Sequence, residues 1–391
     1  FALGATAIGT ALLVVLAANE YLLVPPAIEP FARVVGRPVT MLTAPAWKVS
    51  DILAPHRPHH WDIINFAIAA YGTALGAAAC IAYWRVRRIS PTPPPADVAP
   101  ITSRRQFLKY SAGAGLIFVP GSVGTYSTVI EPGELVLRRY TAPIRDLPAS
   151  FEGLSIAQVS DTHYGPYVSL RYLEHMVERV NNLRPDLVAL TGDYVLHSPR
   201  AIDGGVQVLS KLRARLGIAG VLGNHDHWEG ADEIRERFAS IGVPLIDNSR
   251  LFLTESGLVS DPSGNAIAIA GLGDLWEDRV SFASALDGLP PDMPRVLLSH
   301  NPDTAEAREG ANHRVDLMLS GHTHGGQVSV PGHGAILLPS AYGRKYEGGW
   351  CEGPHFPAIV SRGVGMAFLP IRFRVPPEIV LVTLRRTVEN A

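Results

Sequence analysis

Two long apolar runs mark the N-terminal part of the chain. Phe1–Val24 is nearly all apolar, with Asn19 and Glu20 close to its end, and Ile64–Trp84 is an uncharged run rich in Ala and Gly. Each run approaches the roughly 20 residues that an α-helix needs to cross a bilayer. They predict a membrane region over residues 1–89 with two transmembrane helices. The alternative is a buried helical hairpin in a soluble domain, which two such runs disfavour.

Residues 90–131 join this region to the rest of the chain. A proline-rich linker, Ser90–Pro100, precedes the heptamer SRRQFLK at Ser103–Lys109, and a modestly apolar run covers Tyr110–Ile130. The heptamer resembles a signal for the twin-arginine export machinery. The alternative is a basic anchor ahead of a third transmembrane helix. Both interpretations keep the basic residues in the cytoplasm, and they place the chain beyond Glu131 on the extracytoplasmic side of a bacterial cell membrane, still anchored.

From residue 150 onward, short apolar runs alternate with helical patterns. An amphipathic helix is predicted where apolar residues recur at three- and four-residue spacing, at Leu170, Leu173, Val177 and Val180. A second helix is predicted over Ala231–Ile241. Later segments have the pattern of strands: Leu251–Thr254, Ala266–Leu272, Ala358–Arg362 and Glu378–Leu384. Periodicity therefore predicts an α/β domain with mixed sheets over residues 150–391.

Composition and charge disfavour several function classes. The formal net charge is -2, so no overall basic field favours nucleic acid as a partner. The two cysteines, Cys80 and Cys351, stand far apart and form no CxxC motif. Neither a disulfide framework nor a thiolate zinc site is therefore expected.

Five polar clusters each follow directly after an apolar run. They are DTH at Asp161–His163, GD at Gly192–Asp193, GNHD at Gly223–Asp226, SH at Ser299–His300 and GHTH at Gly321–His324. The glycine that opens three of them lets the chain turn sharply, so that a side chain can point at a metal. Strand ends are where an open α/β sheet presents its binding residues. Because Asp, Asn and His suit ions such as Mn, Fe or Zn, converging strand ends of this kind predict a site for two divalent metal ions.

The order and spacing of these clusters resemble the calcineurin-like metallophosphoesterase superfamily, over residues 154–384. The resemblance implies a four-layer α/β/β/α sandwich, here preceded by N-terminal transmembrane helices. It also implies two metal sites that share one bridging carboxylate: Asp161, His163 and His324 in the first, Asn224, His300 and His322 in the second, and Asp193 between them.

The same resemblance implies a catalytic pair directly after the Asn ligand. His225 would protonate the leaving alkoxide or stabilise the charge that builds on it. Asp226 would orient the imidazole through a hydrogen bond. A hydroxide that bridges the two ions would attack phosphorus in line with the leaving oxygen. Further along, Arg344 and Lys345 are candidate phosphate contacts, with a solvated loop as the alternative.

Details of the motifs indicate which branch of the superfamily the chain resembles. The chain has GDYVLHS and GNHD where protein Ser/Thr phosphatases carry GDYVDRG and GNHE, and Leu196 stands where purple acid phosphatases have a Tyr ligand. DTHYG and GHTHGGQV are more similar to the bacterial membrane-associated branch related to UDP-2,3-diacylglucosamine pyrophosphatase. An extracytoplasmic site disfavours UDP-diacylglucosamine itself, which is made and used in the cytoplasm, and favours an envelope phosphodiester or a lipid-linked pyrophosphate.

Two alternatives belong to other functional classes. A nuclease-type phosphodiesterase shares these motifs but would need a basic strip, which the sequence does not contain. A non-catalytic metal-binding membrane scaffold or sensor would have no need for the leaving-group residue His225. The sequence thus predicts a membrane-anchored dinuclear-metal phosphoesterase that hydrolyses phosphodiester or pyrophosphate bonds and has no nucleic-acid partner.

Overall fold

A five-stranded sheet forms the first layer of β-structure in a computed structural model that describes residues 123–124, 126–196, 201–262 and 264–387. Its strands are β1 Val136–Ile144, β2 Ser155–Val159, β3 Leu187–Leu190, β4 Gly217–Gly220 and β14 Glu378–Arg386. They lie in the order β1-β14-β2-β3-β4. Strand β14 pairs antiparallel with β2, and the other neighbours pair parallel. The carboxyl ends of β2, β3 and β4 therefore lie at one edge of this sheet.

A seven-stranded sheet forms the second layer. Its strands are β5 Ser249–Thr254, β6 Gly257–Val259, β7 Ile267–Gly271, β8 Arg295–Leu298, β9 Leu317–Ser320, β12 Gly349–Glu352 and β13 Pro357–Val360. They lie in the order β12-β13-β9-β8-β7-β5-β6, and the four neighbouring strands β13, β9, β8 and β7 run parallel. Two short strands, β10 Ser329–Val330 and β11 Gly334–Ala335, form a separate antiparallel pair.

Within the described part of the chain, four α-helices accompany the two sheets. They are α1 Leu170–Leu183, α2 Ala201–Leu209, α3 Asn224–Ser240 and α4 Phe282–Leu286. Helix α1 begins after Ser169, whose hydroxyl accepts the N–H of Tyr172 at 3.2 Å, and it buries the predicted apolar stripe. Helix α3 is interrupted at Gly230 (φ 138°, ψ 75°), so the helix predicted from Ala231 forms its second segment, and an additional first segment begins at Asn224, directly after Gly223 of the GNHD cluster.

Apolar side chains divide the fold into layers. Both sheets contribute to the central cluster, for example Ile156 from the first and Ile269 from the second. Met176 and Phe238 belong to a cluster that joins α1 and α3 to the outer face of the first sheet. Phe282 of α4 belongs to a further cluster on the outer face of the second sheet. The predicted mixed α/β fold is confirmed, and helices lie outside both sheets, although α4 is short.

Strand β1 extends this fold towards the N-terminus. It lies before residue 150, the predicted start of the domain, and pairs with β14 along nine residues. Glu131 is also part of the fold, since its Oε2 accepts the N–H of Arg374 at 2.7 Å. A strand with two exposed arginines, Arg138 and Arg139, has no clear alternating pattern, which explains why the sequence did not reveal it.

The described residues all belong to one unit, Ser122–Ala391. Within this part of the chain, no helix combines the length and the apolar character that crossing a membrane requires. The two helices predicted over residues 1–89 lie outside the described residues, as does the twin-arginine-like heptamer at Ser103–Lys109. Both therefore stay predictions.

Candidate metal centre

The first half of the centre joins the two sheets. Asp161 and His163 follow β2 of the first sheet, and His324 follows β9 of the second. The Nε2 atoms of His163 and His324 lie 2.9 Å apart, and His324 Nε2 lies 3.3 Å from Asp161 Oδ1. All three side chains are buried, and their nitrogen and oxygen atoms are close enough to one another to bind a single ion.

The second half of the centre shares a carboxylate with the first. Asp193 follows β3, and its Oδ2 lies 3.2 Å from Nε2 of His300, the residue that follows β8. His322 Nδ1 lies 3.2 Å from the same His300 nitrogen. The same oxygen of Asp193 is also 3.5 Å from His163 Nε2. One carboxylate oxygen therefore faces ligand atoms of both halves.

Buried polar atoms without hydrogen-bond partners mark the centre as fit for cations. Asn224 Oδ1 is buried and has no hydrogen-bond partner among the described residues. Burying such an atom unpaired costs roughly 1–3 kcal/mol, which coordination to a cation would offset. The Nδ1 of His300 lies 2.8 Å from the carbonyl oxygen of Thr191, and donation there leaves its Nε2 as an acceptor beside Asp193. Distances of 2.9 to 3.5 Å thus link six of the seven predicted ligands. The seventh, Asn224, is the first residue of α3 and precedes His225, whose backbone N–H donates to Asp193 Oδ1.

The backbone at the predicted ligands is strained. Left-handed conformations, uncommon for residues other than glycine, occur at Asp161 (φ 53°), His163 (43°), Asp193 (55°), His322 (69°) and His324 (50°). Each costs on the order of 1 kcal/mol or more, and such costs concentrate at functional sites. The strain therefore supports a functional centre at this edge of the sheets.

The glycines before the ligands serve two different purposes. Gly192 has φ 89°, so it makes the sharp turn that was predicted. At Gly321 the reason is space, because a Cβ there would lie 1.9 Å from Ser160 Oγ and 2.2 Å from Asp161 Oδ2. At Gly223 a Cβ would lie 2.2 Å from Asp193 Oδ1. Only glycine lets these strand ends approach so closely.

Burial and charge set the protonation of the centre. Burial lowers the pKa of His163 well below its usual value and lowers the pKa of His322 to about 3. Burial raises the pKa of Asp193, but the charges of His300 and His225 outweigh it and hold that pKa well below its usual range. Neutral imidazoles and an ionised carboxylate are the forms that bind cations. Burial lowers the pKa of His300, but the charge of Asp193 outweighs it and holds that pKa well above its usual value, so an ion would bind there in place of the His300 proton.

The two predicted catalytic residues lie on the first turn of α3. The ring of His225 contacts that of His163 edge-on, with centroids 4.9 Å apart, and its backbone N–H donates to Asp193 Oδ1 at 2.9 Å. Asp226 Oδ2 accepts the backbone N–H groups of Asp193 and Gly223, and its Oδ1 accepts that of Tyr194. Asp226 therefore ties the GD turn to the GNHD turn, and its orientation of the His225 ring stays a prediction.

A buried arginine beneath the first half of the centre was missed from the sequence. Arg372 is fully buried, donates to the carbonyl oxygens of Gly363 and Gly365, and places Nη2 3.4 Å from His324 Nδ1. Gly365 in turn donates its N–H to the carbonyl oxygen of Asp161 at 2.7 Å. No local pattern around Arg372 indicates this role, because His324 lies 48 residues away in the sequence.

The two candidate phosphate contacts are held by carboxylates. Lys345 Nζ lies 2.6 Å from Glu306 Oε1, and Arg344 Nε lies 3.0 Å from Glu347 Oε2. These ion pairs favour the alternative for both residues, a solvated loop without a phosphate contact.

Three exposed aromatic side chains stand next to the buried polar centre, and we call them the aromatic rim. Trp228 is 50% exposed and packs edge-on against His225, with centroids 4.5 Å apart. Phe368 is 40% exposed and lies 6.0 Å from the same ring. Trp276, also 40% exposed, packs edge-on against His322 at 4.4 Å. The rim thus lines both halves of the centre with apolar surface.

Comparison with known proteins agrees with this geometry. Residues 154–326 match the calcineurin-like phosphoesterase family. The chain is 33% identical over 291 residues to the "Uncharacterized metallophosphoesterase YkuE" of Bacillus subtilis, covering 73% of this chain and 98% of that protein. It is 31% identical to the "Phosphodiesterase YaeI" of Escherichia coli, covering 72% and 99%. It is also 31% identical to the "Transmembrane protein with metallophosphoesterase domain" of Bos taurus, covering 52% and 48%.

Fold, strand-end clusters and relatives together define a phosphoesterase that depends on metal ions. The chain belongs to the calcineurin-like phosphoesterase family. The predicted superfamily and enzyme class are therefore confirmed. The relation to UDP-2,3-diacylglucosamine pyrophosphatase stays a prediction.

Proposed function

We propose that the chain hydrolyses phosphodiester or pyrophosphate bonds with two divalent ions. The observation that carries this proposal is the position of Asp193 Oδ2, which lies 3.2 Å from His300 Nε2 and 3.5 Å from His163 Nε2. Asp161, His324, His322 and Asn224 complete the two halves. Oxygen and imidazole donors suit Mn, Fe or Zn. Two ions in these positions would polarise a phosphate group and activate the attacking water.

The leaving group would depart past His225. Its imidazole contacts His163 on one side and the exposed Trp228 on the other, so it lies between the ligand cluster and solvent. A side chain at that point can give a proton to the departing oxygen. The backbone N–H of His225 meanwhile holds Oδ1 of Asp193, which fixes the other oxygen between the two halves.

The substrate would be an amphipathic phosphodiester or a lipid-linked pyrophosphate of the cell envelope. Three features support this choice: the aromatic rim, the pairing of Arg344 and Lys345 with carboxylates, and the phosphodiesterase named among the relatives. The apolar runs over residues 1–89 support an anchored domain on the extracytoplasmic side, reached with or without the twin-arginine machinery. An anchor would hold the centre near a bilayer that contains such substrates.

The test measures the turnover of two chromogenic esters by the full chain loaded with Mn. We expect turnover of bis(p-nitrophenyl) phosphate that disappears with a chelator and returns with Mn. Turnover of p-nitrophenyl phosphate should be slower, because Arg344 and Lys345, the candidate clamp for a doubly charged monoester, are paired with Glu347 and Glu306. A preference for the monoester would contradict the proposed substrate class, and no metal-dependent turnover of either ester in protein shown to contain metal would contradict the diesterase.

Replacing Trp228 by Ala tests the apolar part of the substrate. We expect kcat/KM for a phosphodiester with a long acyl chain to fall about tenfold, since the indole would supply roughly 1.4 kcal/mol of apolar contact. A short water-soluble diester should lose much less. Leu170→Ala, an exposed apolar residue at the start of α1, is the matched control. Equal losses with both substrates would show that Trp228 supports the site without selecting an apolar chain.

A further inference from the structure

Asp274 occupies a strand end that the five motifs leave out. It follows β7 in the sequence AGLGD, an apolar strand followed by Gly-Asp, like Gly192–Asp193 after β3. Gly271 of β7 pairs with Leu298 of β8, and the N–H of Leu272 donates to the carbonyl oxygen of Leu298 at 3.0 Å. Parallel neighbours end at the same edge of a sheet. Asp274 therefore emerges beside His300, on the strand next to it.

Only one of the two carboxylate oxygens of Asp274 accepts hydrogen bonds from its own loop. It is 1% exposed, and its Oδ1 accepts the backbone N–H groups of Trp276 at 2.9 Å and Glu277 at 3.0 Å. Its Oδ2 is buried without a hydrogen-bond partner among the described residues. Burying an ionisable oxygen in this way is costly unless a donor or a cation approaches it. The loop alone therefore explains one carboxylate oxygen and not the other.

Groups of the second half of the centre act on this carboxylate. Burial raises the pKa of Asp274, while the charge of His300 lowers it and that of Asp193 raises it. Trp276, whose N–H the carboxylate holds, packs edge-on against His322 with centroids 4.4 Å apart. The charge of Asp274 thus acts on His300, and the turn that it caps contacts His322.

We propose that Asp274 is a further cation-binding residue of this centre, with Oδ2 as an oxygen donor to the ion held by His300 and His322. The inference rests on the proposed function, since it requires that this half binds an ion. Asp193, Asn224 and Asp274 would give this half three oxygen donors beside two imidazoles. Such a set favours a hard ion such as Mn over Zn, which prefers four ligands of nitrogen and sulfur.

The test measures metal binding independently of turnover. Asp274→Asn keeps Oδ1 as an acceptor for both N–H groups and removes the charge. Mn is titrated into the metal-free full chain by calorimetry, and bound Mn is counted by elemental analysis. We expect the variant to bind one Mn as the wild type does and to bind the other about 10- to 100-fold more weakly. Asp278→Asn is the matched control, because Asp278 lies in the same loop and holds only the N–H of Arg279.

Each other outcome overturns a different statement. If Asp274→Asn binds both Mn ions with wild-type affinity, Asp274 only caps its turn, and the inference is wrong while the proposed function stands. If the wild type binds no Mn, the proposed function is wrong, and the inference that rests on it is wrong as well. If Asp274→Asn does not fold, as judged by its thermal transition, Asp274→Ser supplies a neutral cap for the same titration. Retention of both sites in that variant would contradict the inference equally.

Discussion

Replacing Asp193 by Asn is expected to abolish metal-dependent turnover. Oδ1 of Asp193 accepts the N–H of His225, so an Asn would keep its carbonyl oxygen there and place its NH₂ group at the position of Oδ2. Oδ2 is the atom that faces both His163 and His300. A donor group at that point repels cations in both halves. Loss of one partner from a buried charge cluster costs about 3–5 kcal/mol, which corresponds to roughly 10²- to 10⁴-fold.

The measurement for Asp193→Asn is metal content together with turnover of the diester. We expect less than one ion per chain and no turnover above the chelated control. Asp186→Asn is a matched control, because Asp186 is a carboxylate just before β3 and is not one of the ligands. It accepts hydrogen bonds from the backbone N–H of Ser155 and from Nε of Arg215. It should lower the thermal transition and leave the metal content unchanged. An Asp193→Asn protein that keeps both ions would disprove the bridging role.

The strand-end ligands were predictable because their signal is local. Each one follows an apolar run within a few residues, so the sequence alone shows both the strand and the polar side chain that leaves it. The parallel pairing of β2, β3 and β4, and of β8 and β9, then brings them to neighbouring edges. What the sequence could not show is that a single oxygen of Asp193, Oδ2, faces both halves.

The features that the sequence did not show depend on contacts between distant segments or on helix geometry. Arg372 meets His324 through a loop nearly fifty residues away, and nothing near it in sequence points to a metal centre. The predicted pairing of Asp226 with His225 rests on their adjacency in the sequence, and it stays a prediction. However, α3 begins at Asn224, and successive side chains of a helix point about 100° apart. The carboxylate therefore reaches back to backbone N–H groups at the start of the helix. Asp274 had a local signal, the Gly-Asp after β7, but no histidine accompanied it.

Replacing His225 by Ala is expected to keep the metal ions and lower turnover. The imidazole belongs to neither group of atoms that can bind an ion, and the backbone N–H that holds Asp193 survives the substitution. Loss of a general acid costs about 10²- to 10⁴-fold in turnover. The loss should depend on the leaving group. An alkoxide needs the proton and should lose the full factor, whereas p-nitrophenolate leaves readily without one and should lose much less.

Two comparisons make the His225 prediction decisive. His175→Ala, an exposed histidine on α1, should turn over both kinds of ester at the wild-type rate. If His225→Ala loses metal, the residue supports the ligands and its place in catalysis is indirect. If equal losses occur for alkyl and nitrophenyl leaving groups while metal is retained, His225 stabilises charge on the phosphate and does not donate the proton. Unchanged turnover of the alkyl ester would remove His225 from the mechanism, and protonation of the leaving oxygen would then fall to water.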